Sequence, residues 1–149
     1  MGTERKQGVI RLLVVDDLES ANIVEIARGV GIPAPGYELV VVKDCWKDAE
    51  DALQQRWDLA VIDIKLWRRP EGGIELIRRL HDSQPYCNII AITSEDRDVK
   101  KHALEAGAKV FVSRDPEQRH HSWTADLKTW LTGYKREAEA VQELQAPTG

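Results

Sequence analysis

The sequence predicts an α/β domain built on a doubly wound parallel sheet. Five short apolar runs recur along the 149 residues. Each is rich in β-branched residues and nearly continuous rather than alternating, as expected of strands covered on both faces. Amphipathic helical patterns separate the runs. The alternation is strict, and right-handed crossovers then put helices on both faces of the sheet.

The predicted strands are residues 11–15 (RLLVV), 38–42 (ELVVV), 59–62 (LAVI), 88–92 (NIIAI) and 110–112 (VFV). In the first intervening helix Ile23, Ile26, Ala27 and Val30 share a face. The second spans 46–57 and groups Ala49, Ala52 and Leu53. The third spans 73–81, with Ile74, Ile77 and Leu80 inward and Glu75, Arg78 and Arg79 outward. The fourth runs from 95 to 106, with Ser94 as N-cap and Gly107 as the stop. After a loop at 115–121, the last helix runs from Ser122 to about Gln145. Its apolar positions are Trp123, Leu127, Trp130, Tyr134, Val141 and Leu144. The second half of that helix exceeds what one domain needs to cover. It reads either as a solvated tail or as the seam of a two-stranded coil. The expected organisation is a tail at 1–8, one domain at 9–135 and a helical extension with a frayed end at 136–149.

Apolar residues make up 42% and charged residues 31%, the balance of a globular chain. The formal charge of −4 offers no electrostatic reason to bind nucleic acid. No run approaches a membrane span, and residues 1–10 lack a signal peptide's apolar stretch, so the expected address is cytoplasmic. Cys45 and Cys87 are expected as reduced thiols. The four histidines have no sulfur or acidic partner at zinc spacing.

In an open α/β sheet, ligands bind beyond the carboxyl ends of the strands. The first strand ends in Asp16-Asp17, the third in Asp63, the fourth in Thr93-Ser94 and the fifth in Ser113-Arg114. If the first and third strands are neighbours, three carboxylates converge there. Such a cluster demands a counter-charge. Mg²⁺ fits best, because it uses few carboxylates, keeps waters and suits phosphate oxygens. An Asp beside Mg²⁺ is a suitable nucleophile for a phosphoryl group, with Thr93 and Arg114 placed to stabilise its charge.

With LLVVDD (12–17), LAVIDIKL (59–66), GGIELIRRL (72–80), IIAITS (89–94) and ALEAGAKVFVSR (103–114), the chain resembles the receiver domain of two-component response regulators over about residues 9–135. The resemblance implies a flavodoxin-like sheet in order 2-1-3-4-5. It implies that Asp63 is the phosphoacceptor and that Asp16, Asp17, Asp63 and the Lys65 backbone carbonyl hold Mg²⁺. Thr93 would sense the phosphoryl group, and Phe111 would be the aromatic switch. The implied donor is a sensor histidine kinase or phosphotransfer protein, and the implied role is a phosphorelay signalling module, not a metabolic enzyme.

The chain departs from that pattern at Arg114, where the family has Lys, and at Asp115-Pro116, where the usual Pro is displaced by one. A planar, bidentate guanidinium does not replace a compact ammonium neutrally. Phosphorylation is therefore expected to survive with an altered readout. The loop IKLWRRPEGG is about two residues longer than the common form. It carries Trp67, Arg68 and Arg69, which are either a tolerated insertion or a partner-docking feature. Lys65 and Glu95 are expected to flank the acceptor and slow hydrolysis.

The principal alternative is a non-phosphorylated receiver-like interaction or dimerisation domain, locked by Arg114. A flavin or nucleotide enzyme would need a phosphate-cradling loop where this chain has DDLES. A homodimer through the last helix is a further expectation.

Overall fold

Strands β1 (Ile10–Val15), β2 (Tyr37–Val42), β3 (Leu59–Asp63), β4 (Asn88–Thr93) and β5 (Val110–Ser113) form one parallel sheet in the order β2-β1-β3-β4-β5. Helices α1 (Ser20–Gly29), α2 (Trp46–Ala52), α3 (Gly72–Ser83), α4 (Arg97–Ala106) and α5 (Trp123–Gln145) follow the strands in turn. The computed structural model describes residues 9–67, 69, 71–93, 97–114 and 122–145. The sheet order and the five helices are those the sequence led us to expect.

The sheet divides the core in two. On one face, Leu13, Val15, Ala60, Ile62, Ile89 and Ala91 pack with α2, α3 and α4. On the other, Leu12, Val14, Leu59, Val61, Ile90 and Ile92 pack with Ile23 and Ala27 of α1 and Leu127 and Leu131 of α5. Every residue of β3 and β4 is buried. This is why those runs are apolar without alternation: both faces leave water, at roughly 1.5–3 kcal/mol per large side chain. Edge strand β2 is only partly buried.

Two local outcomes differ from expectation. Helix α2 ends at Ala52, five residues short of Trp57. Trp57 turns back into the core, where its indole N–H donates to the Ala52 carbonyl at 2.8 Å. A continued helix would need that carbonyl for itself. Second, the far half of α5 is bonded to the body. Ala138 is buried in the second core, the Tyr37 hydroxyl donates to Glu139, and Lys135 Nζ lies 4.7 Å from the Tyr37 ring centroid. Beyond it Leu144 is 87% exposed, so only the last turn fits the solvated-tail reading. Helix α4 is described from Arg97, and the expected start at residue 95 and the Ser94 cap lie outside the described residues. Gly107 does end α4, at φ +124°. Among the described residues, no helix is long and apolar enough to cross a membrane.

Gly73 fixes how α3 leaves the sheet. Its N–H donates to the Ile64 carbonyl at 2.8 Å, and a Cβ there would lie 2.0 Å from the Asp63 carbonyl oxygen. Only glycine lets the first turn of α3 approach β3 so closely.

Candidate functional site

Parallel register brings the ends of β1 and β3 together, since Val15 pairs with Ile62. Asp16 and Asp17 follow β1 and Asp63 closes β3. One oxygen from each of the three carboxylates falls within 4.8 Å of the others. Asp16 is fully buried and Asp63 only 2% exposed.

The two adjacent aspartates do different work. Asp16 Oδ1 accepts the backbone N–H groups of Leu18 and Glu19, at 2.9 and 2.8 Å. It thereby fixes the turn into α1. Asp17 instead points into the pocket: its Oδ2 accepts the Trp67 N–H at 3.1 Å, and its Oδ1 is buried with no hydrogen-bond partner. An orphaned buried carboxylate oxygen beside two more carboxylates is a donor set for a hard cation.

Arg114 enters from the end of β5. Its Nη1 lies 2.8 Å from Asp16 Oδ2 and its Nη2 3.2 Å from Asp63 Oδ2, with the side chain 9% exposed. The guanidinium thus bridges two of the three acids. Its backbone N–H donates to the Thr93 carbonyl at 2.8 Å, which ties the end of β5 to that of β4.

Burial pushes the Asp63 carboxyl up to about 7, with the Asp16 charge next and Asp17 adding to it. Arg114 and the Lys65 N–H, 3.3 Å from Asp63 Oδ1, pull the other way without cancelling the rise. Without a further cation, Asp63 is a carboxyl group poised near neutrality.

Other expected residues are placed less centrally. Thr93 is buried at the end of β4, one residue past Ile92, which pairs with Asp63. Lys65 is exposed at the pocket's rim. Phe111 is partly buried against the first core. Glu95, the other half of the expected gate, lies outside the described residues, as do Asp115 and Pro116.

The loop after Asp63 proves to be a staple. Trp67, at φ +36°, donates its indole N–H to the Lys43 carbonyl at 3.1 Å and meets Trp46 edge-on at 6.3 Å. The Arg69 guanidinium lies 4.0 Å from the Trp46 ring centroid. Both tryptophans are half-buried, so Trp67 and Arg69 clamp this loop onto the β2–α2 connection, while Arg68 lies outside the described residues. Trp123 was read only as a core position, yet its ring stands 5.7 Å from Arg114 Cζ.

Comparison with known proteins agrees with this geometry. The family model described as response regulator receiver domain matches residues 12–121. Among solved structures, a CheY-like receiver domain protein from Methanospirillum hungatei is 23% identical, with a TM-score of 0.62 over 87% of this chain and 98% of that one. The signal receiver domain of a putative Luxo repressor protein from Vibrio parahaemolyticus is 17% identical, with a TM-score of 0.67 over 93% and 99%. The receiver domain of a Pseudomonas aeruginosa sensor histidine kinase, solved with a magnesium ion in its active-site cleft, is 21% identical, with a TM-score of 0.63 over 85% and 97%. Among curated proteins the chain matches none. With the family model spanning most of its length and the acidic pocket at the expected strand ends, the chain belongs to the response regulator receiver domain family.

Proposed function

We propose that this domain accepts a phosphoryl group on Asp63, with Mg²⁺ bound, from a phosphohistidine of a sensor kinase or phosphotransfer protein. The observation that carries the reading is the three-carboxylate pocket, with the orphaned Asp17 Oδ1 inside it. Asp16, Asp17, Asp63 and the Lys65 backbone carbonyl would hold the ion. When bound, Mg²⁺ supplies positive charge that keeps Asp63 ionised and offsets the charge of phosphoryl oxygens.

The chain's own residues do the rest. A carboxylate oxygen of Asp63 attacks phosphorus, the phosphorus–nitrogen bond breaks, and the imidazole leaves with its electron pair. Asp16, anchored by two backbone amides, holds its side of the pocket rigid. Arg114 meets oxygens of the new acyl phosphate, and the Thr93 hydroxyl approaches them from β4. Phe111 then repacks against the first core and changes the surface around it. Trp130 and Val141 of α5, 41% and 40% exposed, offer a self-association surface.

One observation favours a second reading. Arg114 bridges Asp16 and Asp63 from the end of β5, an ion-pair lock of the kind expected of a non-phosphorylated interaction domain held in one state. Titration with Mg²⁺ and then beryllofluoride separates the two, followed by calorimetry and by mass in solution. Saturable, Mg²⁺-dependent binding that Asp63→Ala abolishes supports the phosphoacceptor. No binding by the native chain leaves the locked module.

A further inference from the structure

The Arg114 guanidinium is engaged on two kinds of surface. Two of its nitrogens meet Asp16 and Asp63, at 2.8 and 3.2 Å. The guanidinium also lies over the Trp123 ring, with Cζ 5.7 Å from the ring centroid and within cation–π range. Trp123 is the first residue of α5 and packs against the second core, so it is anchored independently of the pocket. A lysine ammonium has no flat face and no fork, and cannot join two acids and a ring in this way. Arginine at 114 and tryptophan at 123 are therefore a matched pair.

We propose that Trp123 is the positioning residue for Arg114. Its indole backs the guanidinium against Asp16 and Asp63, so that occupation of the carboxylate pocket is registered at the first turn of α5. This rests on the metal-dependent reading above. Asp16 has no free oxygen while Arg114 stays: Oδ1 serves two amides and Oδ2 serves Arg114. A divalent cation among the three acids competes with the guanidinium for Asp16 and Asp63. Trp123 stabilises the state that must give way, and so weakens cation binding.

The test is calorimetric titration with Mg²⁺ alone of the native chain, Trp123→Phe, Trp123→Leu, Arg114→Gln and the double variant Arg114→Gln/Trp123→Leu, with Asp63→Ala as control. Trp123→Leu is expected to tighten Mg²⁺ about fivefold, and Trp123→Phe, which keeps a ring, by less. Arg114→Gln tightens it further, and in that background Trp123→Leu adds nothing, because the effect passes through Arg114. The Arg114 Nε–H proton resonance, displaced by the indole ring current in the native chain, returns to an ordinary position in Trp123→Leu and shifts on adding Mg²⁺. Unchanged or weaker binding in Trp123→Leu overturns the proposal, as does an equal effect in both backgrounds. If native chain and variants all fail to bind Mg²⁺, the metal-dependent reading falls and takes the proposal with it. If the native chain binds and Asp63→Ala does not, that reading stands and the variants alone decide.

Discussion

The guanidinium of Arg114 lies 3.2 Å from the Asp63 carboxylate, and both side chains are nearly withdrawn from water. Together with the 2.8 Å contact to Asp16, this makes Arg114 the internal counter-ion of the pocket. A buried pair is a poor source of net stability, but removing one partner leaves uncompensated charge. Arg114→Gln is therefore expected to lower the metal-free stability by about 3 kcal/mol, measured by urea unfolding in chelator. Saturating Mg²⁺ should recover most of the loss.

Asp63 makes stability depend on pH in an unusual direction. Its carboxyl is raised from 3.8 to about 7 by burial and then by Asp16. The folded state thus holds a proton that the unfolded chain has already released between these values. The stability it contributes is complete below about pH 4 and is lost as pH rises through about 7. In chelator, the protein should be more stable at pH 5 than at pH 8 by on the order of 2–3 kcal/mol from this group. Asp63→Asn should flatten that slope and raise the melting temperature at pH 8. A slope unchanged by the substitution would place its origin elsewhere. The same proton competes with Mg²⁺, so metal affinity should fall as pH drops below about 7.

Trp67 acts on the pocket from outside it. Its N–H reaches Asp17 while its side chain is clamped to Lys43 and Trp46. Trp67→Ala keeps the backbone N–H that bonds Asp17 but removes the side-chain clamp that positions it, and should weaken Mg²⁺ binding by up to about tenfold. Trp67→Phe retains the packing but lacks the bond to the Lys43 carbonyl, and should fall between.

Gly73→Ala tests the joint between β3 and α3. A methyl group there would stand 2.0 Å from the Asp63 carbonyl oxygen and 2.4 Å from the Ile64 Cα, both backbone atoms that cannot step aside cheaply. The expected cost is about 3 kcal/mol or more in urea unfolding, with Mg²⁺ affinity falling too because Asp63 is displaced.

Much of the fold is legible in the sequence because β3 and β4 are buried on both faces and say so in continuous runs such as LAVID and NIIAIT. The acidic pocket is legible because strand ends and sheet order together fix where side chains meet. What escapes depends on contacts between distant residues. The end of α2 is decided by Trp57 turning back on Ala52. The far half of α5 is held by Tyr37 and Glu139, which are 102 positions apart. Asp16 and Asp17 are chemically identical neighbours, and only the backbone turn selects which one holds the turn before α1 and which one leaves an oxygen unpartnered in the pocket. Arg114 is visible as a substitution, but its two-acid bridge and its aromatic backing are not.

The most direct measurement is intact-mass analysis after incubation with a small phosphoryl donor such as acetyl phosphate. The native chain is treated with and without Mg²⁺, beside Asp63→Asn. The account predicts the mass gain of one phosphoryl group, dependent on Mg²⁺, mapped to Asp63 and lost in Asp63→Asn. No mass gain in the native chain, while a receiver known to use the same donor is modified in parallel, would contradict it. Modification persisting in Asp63→Asn would contradict it as well.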